Sequence, residues 1–355
     1  MVEVTKIGNK TIVMDGKILS LFRKGSLLRQ MYYGGYEDFD GANGGVWKKY
    51  INIPIKTVPL EYAQYLIEID NTNVSVYNAK GDLKAQASIA SEFWSLVRSD
   101  GFDIRAFDHL FNQLWFWVEM FDYTNKKAKI WVKLPENSEE LNIAFGNEKA
   151  SESSYKDSEN TFEFFDDFER SELDTSKWTT RGNGTYSIAN SIIEIDANTN
   201  DNFHVTSKQT FERPIILSFK FKFGYQSSST YVYKAIGFDQ GDKTEVGSNH
   251  VSILSDVRDT ELKHNIVIGG TVYRYDLSPA IDAFDTWYIG KVIWANTFTK
   301  AIANSSSSES SHTPSPALYV DIWVQGNADK AYVDYIYVCK YADPADFGTP
   351  CIVEF

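Results

Sequence analysis

Cysteine is almost absent from this chain: 2 residues in 355, Cys339 and Cys351. Two thiols make neither the disulfide framework of a small secreted scaffold nor the paired spacing of a structural zinc site, and a bridge between them would only staple the end of the chain. Basic clusters are also missing. The net charge is −13, and Lys and Arg never gather beyond pairs such as Lys126-Lys127. That excludes the cationic stripe needed for a phosphate backbone, and with it DNA or RNA as a partner. No apolar run approaches the roughly 20 residues of a membrane-spanning helix. The first apolar stretch, Thr11 to Phe22, is broken by Asp15, Gly16 and Lys17 and does not read as a secretion signal. The histidines, His109, His204, His250, His264 and His312, show no i, i+4 pair around a Glu, which excludes a metalloprotease helix, and no serine nucleophile elbow is present.

What is present is the palette of strands. Hydrophobic residues make up 43% of the chain and aromatics 15%, with 21 Tyr, 23 Phe and 9 Trp. A chain of 355 residues is longer than one core usually serves, so several folded pieces are expected. Residues 1–45 read as short strands around Gly8-Asn9 and Asp15-Gly16, a piece too small for its own core and expected to dock on a neighbour. From 46 to 150 the period is two: Ile51, Ile53 and Ile55 share one face, and Ile130, Val132 and Leu134 alternate with Lys129, Trp131 and Lys133. Within it Ile89, Phe93, Leu96 and Val97 recur at helical spacing, which predicts one helix from about Asp82 to Ser99. Residues 151–160 are small and polar and read as a linker. A second β series fills 161–343, clearest in Ile215, Leu217, Phe219, Phe221 and Phe223 against Ser218, Lys220 and Lys222. Residues 344–355 remain as a tail. Many short strands closely spaced predict antiparallel β-sandwiches, an all-β class.

The stretch TFEFFDDFERSELDTSKW from Thr161, the closing run YVDYIYVCKYADP from Tyr332 and Asp285-Thr286-Trp287-Tyr288 between them resemble a concanavalin A-like, laminin-G-like lectin jelly roll of microbial surface proteins. Upstream, Gly101-Phe102-Asp103-Ile104-Arg105 with Asp108, Trp117-Val118-Glu119, Ile130 to Pro135 and Phe145-Gly146-Asn147 with Ala150 are similar to an uncharacterised β-rich domain family found just before such jelly rolls in bacterial and archaeal surface and virion proteins. The predicted helix departs from that family's pattern. The resemblance implies a C-terminal jelly roll, a smaller upstream β-sandwich with one inserted helix, first and last jelly-roll strands side by side, and an exterior location. It implies activity poorly, because jelly rolls host lectins, hydrolases, lyases and inert spacers.

Candidate chemistry is thin. Carboxylates two apart on a strand face one cleft, as a glycosidase requires, and Glu194-Ile195-Asp196 and Glu68-Ile69-Asp70 have that spacing. The further carboxylate three residues on is replaced by Thr199 and Asn73, so no catalytic residue is assigned and a non-enzymatic chain is expected. Asp166 and Asp167 of the opening strand and Asp334 of the closing one would fit an oxygen-only calcium site, unless they cap turns or accept backbone amides. Asp38-x-Asp40-Gly41-x-Asn43 has loop-like calcium spacing but lacks the distal Glu. For a sugar, the flat faces of Tyr231, Tyr233, Tyr273, Tyr275, Trp294 and Trp323 are the candidate ligand surface, against core packing for each singly.

These readings converge on a virion or cell-exterior structural or attachment protein, such as a tail-fibre or receptor-binding component. Its partners would be other subunits met through residues 1–45 and host surface glycans, most simply as a homo-oligomer. A capsid, turret or filament subunit is the second expectation. A polysaccharide-active hydrolase or lyase is the third.

Overall fold

The computed structural model describes residues 2–355 except 8–9, 16–17, 24–25, 33–38, 58, 60–61, 199–200, 225–232, 242–247, 257–260, 327–329 and 342–345, with side chains from Phe39 onward. The chain is all-β, built of antiparallel sheets with two short helices among the described residues. It divides into two compact units, Met1–Thr161 with Ala342–Phe355, and Phe162–Tyr341.

In the first unit β1 (Val2–Ile7), β2 (Lys10–Asp15), β3 (Ile18–Arg23) and β4 (Ser26–Tyr32) form a four-stranded meander. Then come β5 (Lys49–Pro54), β6 (Ala63–Ile69), β7 (Val74–Asn78), β8 (Leu83–Ala87), helix α1 (Ala90–Leu96), β9 (Arg105–Asp108), β10 (Phe116–Asp122), β11 (Lys127–Leu134), β12 (Glu140–Phe145) and helix α2 (Ser158–Thr161). A five-stranded sheet, β10-β11-β6-β7-β8, and a second sheet holding β5-β12-β9 bury a shared core of Ile51, Ile53, Tyr65, Ile67, Phe93, Ile130, Val132 and Ile143. The helix is far shorter than its apolar spacing predicts. Leu83–Ala87 is claimed by pairing with β7, so only the turns that bury Ala90, Phe93 and Trp94 remain helical. The segment read as a linker is packed: Ser153 is buried, Ser154 N donates to Asp40, and Lys156 bridges to Phe116.

The second unit is a jelly roll. Its strands are β13 (Phe164–Asp166), β14 (Trp178–Gly182), β15 (Gly184–Ala189), β16 (Ile192–Ala197), β17 (Asn202–Phe211), β18 (Ile215–Phe223), β19 (Tyr233–Asp239), β20 (Asn249–Asp256), β21 (Leu262–Ile268), β22 (Thr271–Asp276), β23 (Tyr288–Trp294), β24 (Thr299–Ala303), β25 (Ser306–Ser310), β26 (Leu318–Gln325) and β27 (Lys330–Lys340). They form two sheets, β15-β16-β27-β18-β23-β24-β25 with β13 beside β27, and β14-β17-β26-β19-β20-β21-β22. The first and last strands are neighbours, with Phe164 opposite Val338. Alternation explains the stacking: Leu217, Phe219, Phe221 and Phe223 enter the core with Ile236, Phe238, Ile322, Ile336 and Val338. The opposite face of β18 is less wet than its lysines suggest, because Ile216 and Ser218 are buried too.

The chain then returns to the first unit. Its last strand, β28 (Cys351–Glu354), pairs with β5, and Phe347 enters that unit's core, so the end of the chain that reads as a tail closes a sheet. Both cysteines are free thiols, Cys339 buried and Cys351 exposed.

Two buried cationic or titratable groups stand out. Arg105, 1% exposed, collects carbonyls from two distant segments, Asp40 O at 2.8 Å and Ser151 O at 2.8 Å, and from its own turn, Phe102 O at 2.9 Å and Ile104 O at 2.8 Å, with its guanidinium 4.9 Å from the Trp47 ring centroid. Burial lowers its pKa to about 10, so it stays charged at neutral pH. In the jelly roll, His264 is fully buried, and neither ring nitrogen has a hydrogen-bond partner among the described residues. Burial pushes its pKa down to about 4.

Arg105→Met should cost about 3–5 kcal/mol of stability, and Arg105→Lys nearly as much, because an ammonium cannot span the four carbonyls. Denaturant titration of the full chain checks this, and a Lys variant as stable as the wild type would refute it. His264 is neutral when folded but protonates below pH 6.5 once unfolded. Stability should therefore fall by roughly 3 kcal/mol as pH drops from about 6.5 to about 4. His264→Phe should flatten that slope in unfolding curves recorded across the range.

Candidate functional site on the seven-stranded sheet

Strand alternation sends Phe203, Val205, Ile236, Phe238, Val251, Ile253, Val320 and Ile322 into the jelly-roll core. The intervening residues of the same strands must then meet on the other face of the seven-stranded sheet. Register fixes who meets whom. One rung runs Thr206, Asp321, Gly237, Ser252; the rung beside it runs His204, Trp323, Ala235, Leu254; Asp239 lies opposite His250. Gly237 is required there, since a Cβ would stand 2.1 Å from Val251 O and 2.5 Å from Ser252 Cβ. Arg181 of β14 reaches in from the sheet edge, opposite His204.

The result is a buried network of opposite charges. Arg181 Nη2 donates to Asp239 Oδ1 at 3.1 Å and to Asp321 Oδ1 at 3.4 Å, while its Nε donates to Thr206 Oγ1 at 3.1 Å. Two carboxylates on different strands thus face one guanidinium, their nearest oxygens no farther apart than those two bonds laid end to end. Asp321 also accepts from Thr206 Oγ1 at 2.6 Å and sits 2.8 Å from His204 Nδ1, which Arg181 Nη2 approaches at 3.0 Å. Burial by itself would raise the Asp321 pKa, but His204, Arg181 and Thr206 outweigh it and hold the carboxyl well below its ordinary value. Asp239 accepts Gly241 N at 2.6 Å and lies 3.2 Å from His250 Nδ1, whose Nε2 meets Ser252 Oγ. That Ser–His–Asp order matches a nucleophilic relay, yet Ser252 has no exposed surface and the chain of bonds is closed. Arg181, with 18% of its side chain exposed, is the member that reaches solvent.

Beside the charges runs a stack of flat groups. Trp323 lies 5.8 Å from His204 and 6.1 Å from Tyr233, nearly parallel to Tyr233 at 14°, and the Arg274 guanidinium stands 4.8 Å over Tyr233. Trp323 Nε1 is buried with no hydrogen-bond partner among the described residues.

The aromatic set expected from sequence is therefore split. Tyr233 and Trp323 share this face. Tyr273 and Tyr275 lie on the opposite face of β22, packed against the core, where His312 stacks 3.8 Å from Tyr273 and approaches Tyr275 Oη at 3.1 Å. Trp294 is wholly inside the core, its Nε1 donating to Pro314 O. Tyr231 lies outside the described residues. The calcium set is not brought together. Asp166 is buried and accepts Phe168 N and Trp178 Nε1, Asp167 accepts Glu169 N at 3.4 Å, and Asp334 pairs with Lys220. Among the described residues no group of three or more His, Cys, Asp or Glu is placed to hold a metal. Likewise Asp40 accepts Ser154 N and Asn43 donates to Lys149 O, while Asp38 lies outside the described residues. Glu194 pairs with Lys330 on the other sheet, and Asp70 folds back onto Thr72 N and Asn73 N, both at 2.6 Å.

Comparison with known proteins fits this architecture. A family profile described as Domain of unknown function (DUF2341) matches residues 100–181. No curated protein matches the chain. Among solved structures, the chain is similar to an endo-beta-1,3-glucanase from Pyrococcus furiosus, at 14% identity over 52% of this chain and 95% of that one, TM-score 0.43. It is also similar to a prokaryotic beta-1,3-1,4-glucanase (lichenase) from a mouse hindgut metagenome, at 13% identity over 50% and 98%, TM-score 0.41. A third is the Bacillus licheniformis beta-glucanase, at 12% over 50% and 97%, TM-score 0.41. Against the expectation of a non-enzymatic chain, these three structures are all named as glucanases. At such identity they speak for the fold alone, and no residue role is carried over.

Arg181→Met removes the cation that Asp239 and Asp321 share and should cost about 3–5 kcal/mol. Asp239→Asn in that background should restore part of the loss. Denaturation of both variants checks it, and strictly additive losses would show that the guanidinium does not couple the pair.

Proposed function

We propose that this chain is polysaccharide-active, with the outer face of the seven-stranded sheet as its working face. The observation that carries the reading is the Asp239–Asp321 pair, two buried carboxylates drawn to the one guanidinium, Arg181, that itself reaches solvent. Each is backed by an imidazole, His250 and His204. Asp321 is held ionised, so that carboxyl is not the proton donor of the cluster. The stack of Trp323 and Tyr233 with Arg274 sets aromatic groups beside the charges, Tyr233 being the half-buried ring among them. The glucanases named above make β-glucans the first substrates to try, and a virion or attachment role finds no such support.

The test is release of reducing ends, or of unsaturated ends as a lyase would produce, from a panel led by β-1,3- and mixed-linkage β-1,3-1,4-glucans. Asp239→Asn and Asp321→Asn should each lower turnover by about 100-fold or more, with circular dichroism melts confirming that the variants fold. Turnover that survives both substitutions would place the chemistry elsewhere.

A further inference from the structure

The five-stranded sheet of the first unit carries a feature the jelly roll does not use. Register aligns Met120, Lys129, Glu68, Ser75 and Gln86 on one rung that crosses all five strands. The neighbouring rung on the same face runs Trp117, Trp131, Leu66, Tyr77 and Leu83. A polar row thus lies beside an apolar, aromatic one. Over them sits a cavity of about 230 Å³ lined by Glu68, Ser75, Tyr77, Gln86, Met120 and Lys129, with Lys127 and Asp70 at its end. That is below the range of pockets that take drug-sized ligands and suits a single ring.

The lining is already polarised. Lys129 Nζ is 3.2 Å from Glu68, and Gln86 Nε2 donates to Ser75 Oγ at 2.8 Å. Burial, with Glu68 beside it, raises the Tyr77 hydroxyl above its ordinary pKa and keeps it a neutral donor. The two ions cancel, so neither a strong cation nor a strong anion is favoured. What the wall offers instead is alternating donors and acceptors: carboxylate, ammonium, amide, hydroxyl and phenol, next to an aromatic ring.

We infer that this groove binds a neutral hexose unit, with the Tyr77 ring against one sugar face and Glu68, Gln86, Ser75 and Lys129 on its hydroxyls. The site is separate from the jelly-roll cluster and does not rest on that cluster's chemistry.

Saturation-transfer NMR on the full chain, with glucose, galactose, mannose and N-acetylglucosamine against glucuronate and glucose 6-phosphate, tests it. At least one neutral sugar should bind. Gln86→Ala, at an exposed position where the fold tolerates change, should weaken that binding about tenfold, as should Glu68→Gln. Asp239→Asn in the jelly roll should leave this binding unchanged. Binding of only the charged sugars, of none, or binding indifferent to Gln86→Ala and Glu68→Gln would each overturn the assignment.

Discussion

Charge buried in a β-sheet protein must be answered locally, and in each unit a guanidinium supplies the answer. Arg105 does so with carbonyls, tying the loop at Asp40, the turn before β9 and the segment at Ser151 to one planar group. Arg181 does so with carboxylates, letting Asp239 and Asp321 stand together on strands that hydrophobic alternation alone would have made neutral. A lysine could not replace either, because both sites use the geometry of the fork as well as its charge. In the first unit this produces rigidity; in the second it concentrates titratable groups on a face that has no packing need for them.

Much of the fold was legible in the sequence. Alternation marks the core face of β18, β11 and β5 outright, and the opening and closing jelly-roll strands pair as the resemblance implied. The helix was over-extended because Leu83 and the residues after it satisfy helical spacing while also being able to pair with β7, and pairing won. The candidate site was the least legible part. His204-Val205-Thr206, His250-Val251-Ser252 and Asp321-Ile322-Trp323 each alternate polar with core residues, which is a signal. Nothing in the sequence says that Thr206 and Asp321, 115 positions apart, are rung neighbours.

The failed expectations have a common cause. Residue type suggested a ligand, and strand direction decided otherwise: Tyr273 and Tyr275 turn toward the core, Asp166 is consumed by a tight turn, and Glu194 faces away on the other sheet. What remains for chemistry is the outward half of each strand. One unit fills it with a buried network of paired charges beside stacked rings, the other with a polar rung beside an aromatic rung.

The return of β28 to β5 makes the jelly roll an insertion within the first unit's own sheet. During synthesis one edge of β5 therefore waits uncovered until Cys351, 299 positions after its partner Asn52, has been made, and an uncovered edge invites pairing with any other strand. The inserted unit, whose strands are all contiguous in sequence, is free to fold first and bring the two halves of its host back into register. A chain cut between the units would not yield two whole domains, only a jelly roll and a host lacking its closing strand.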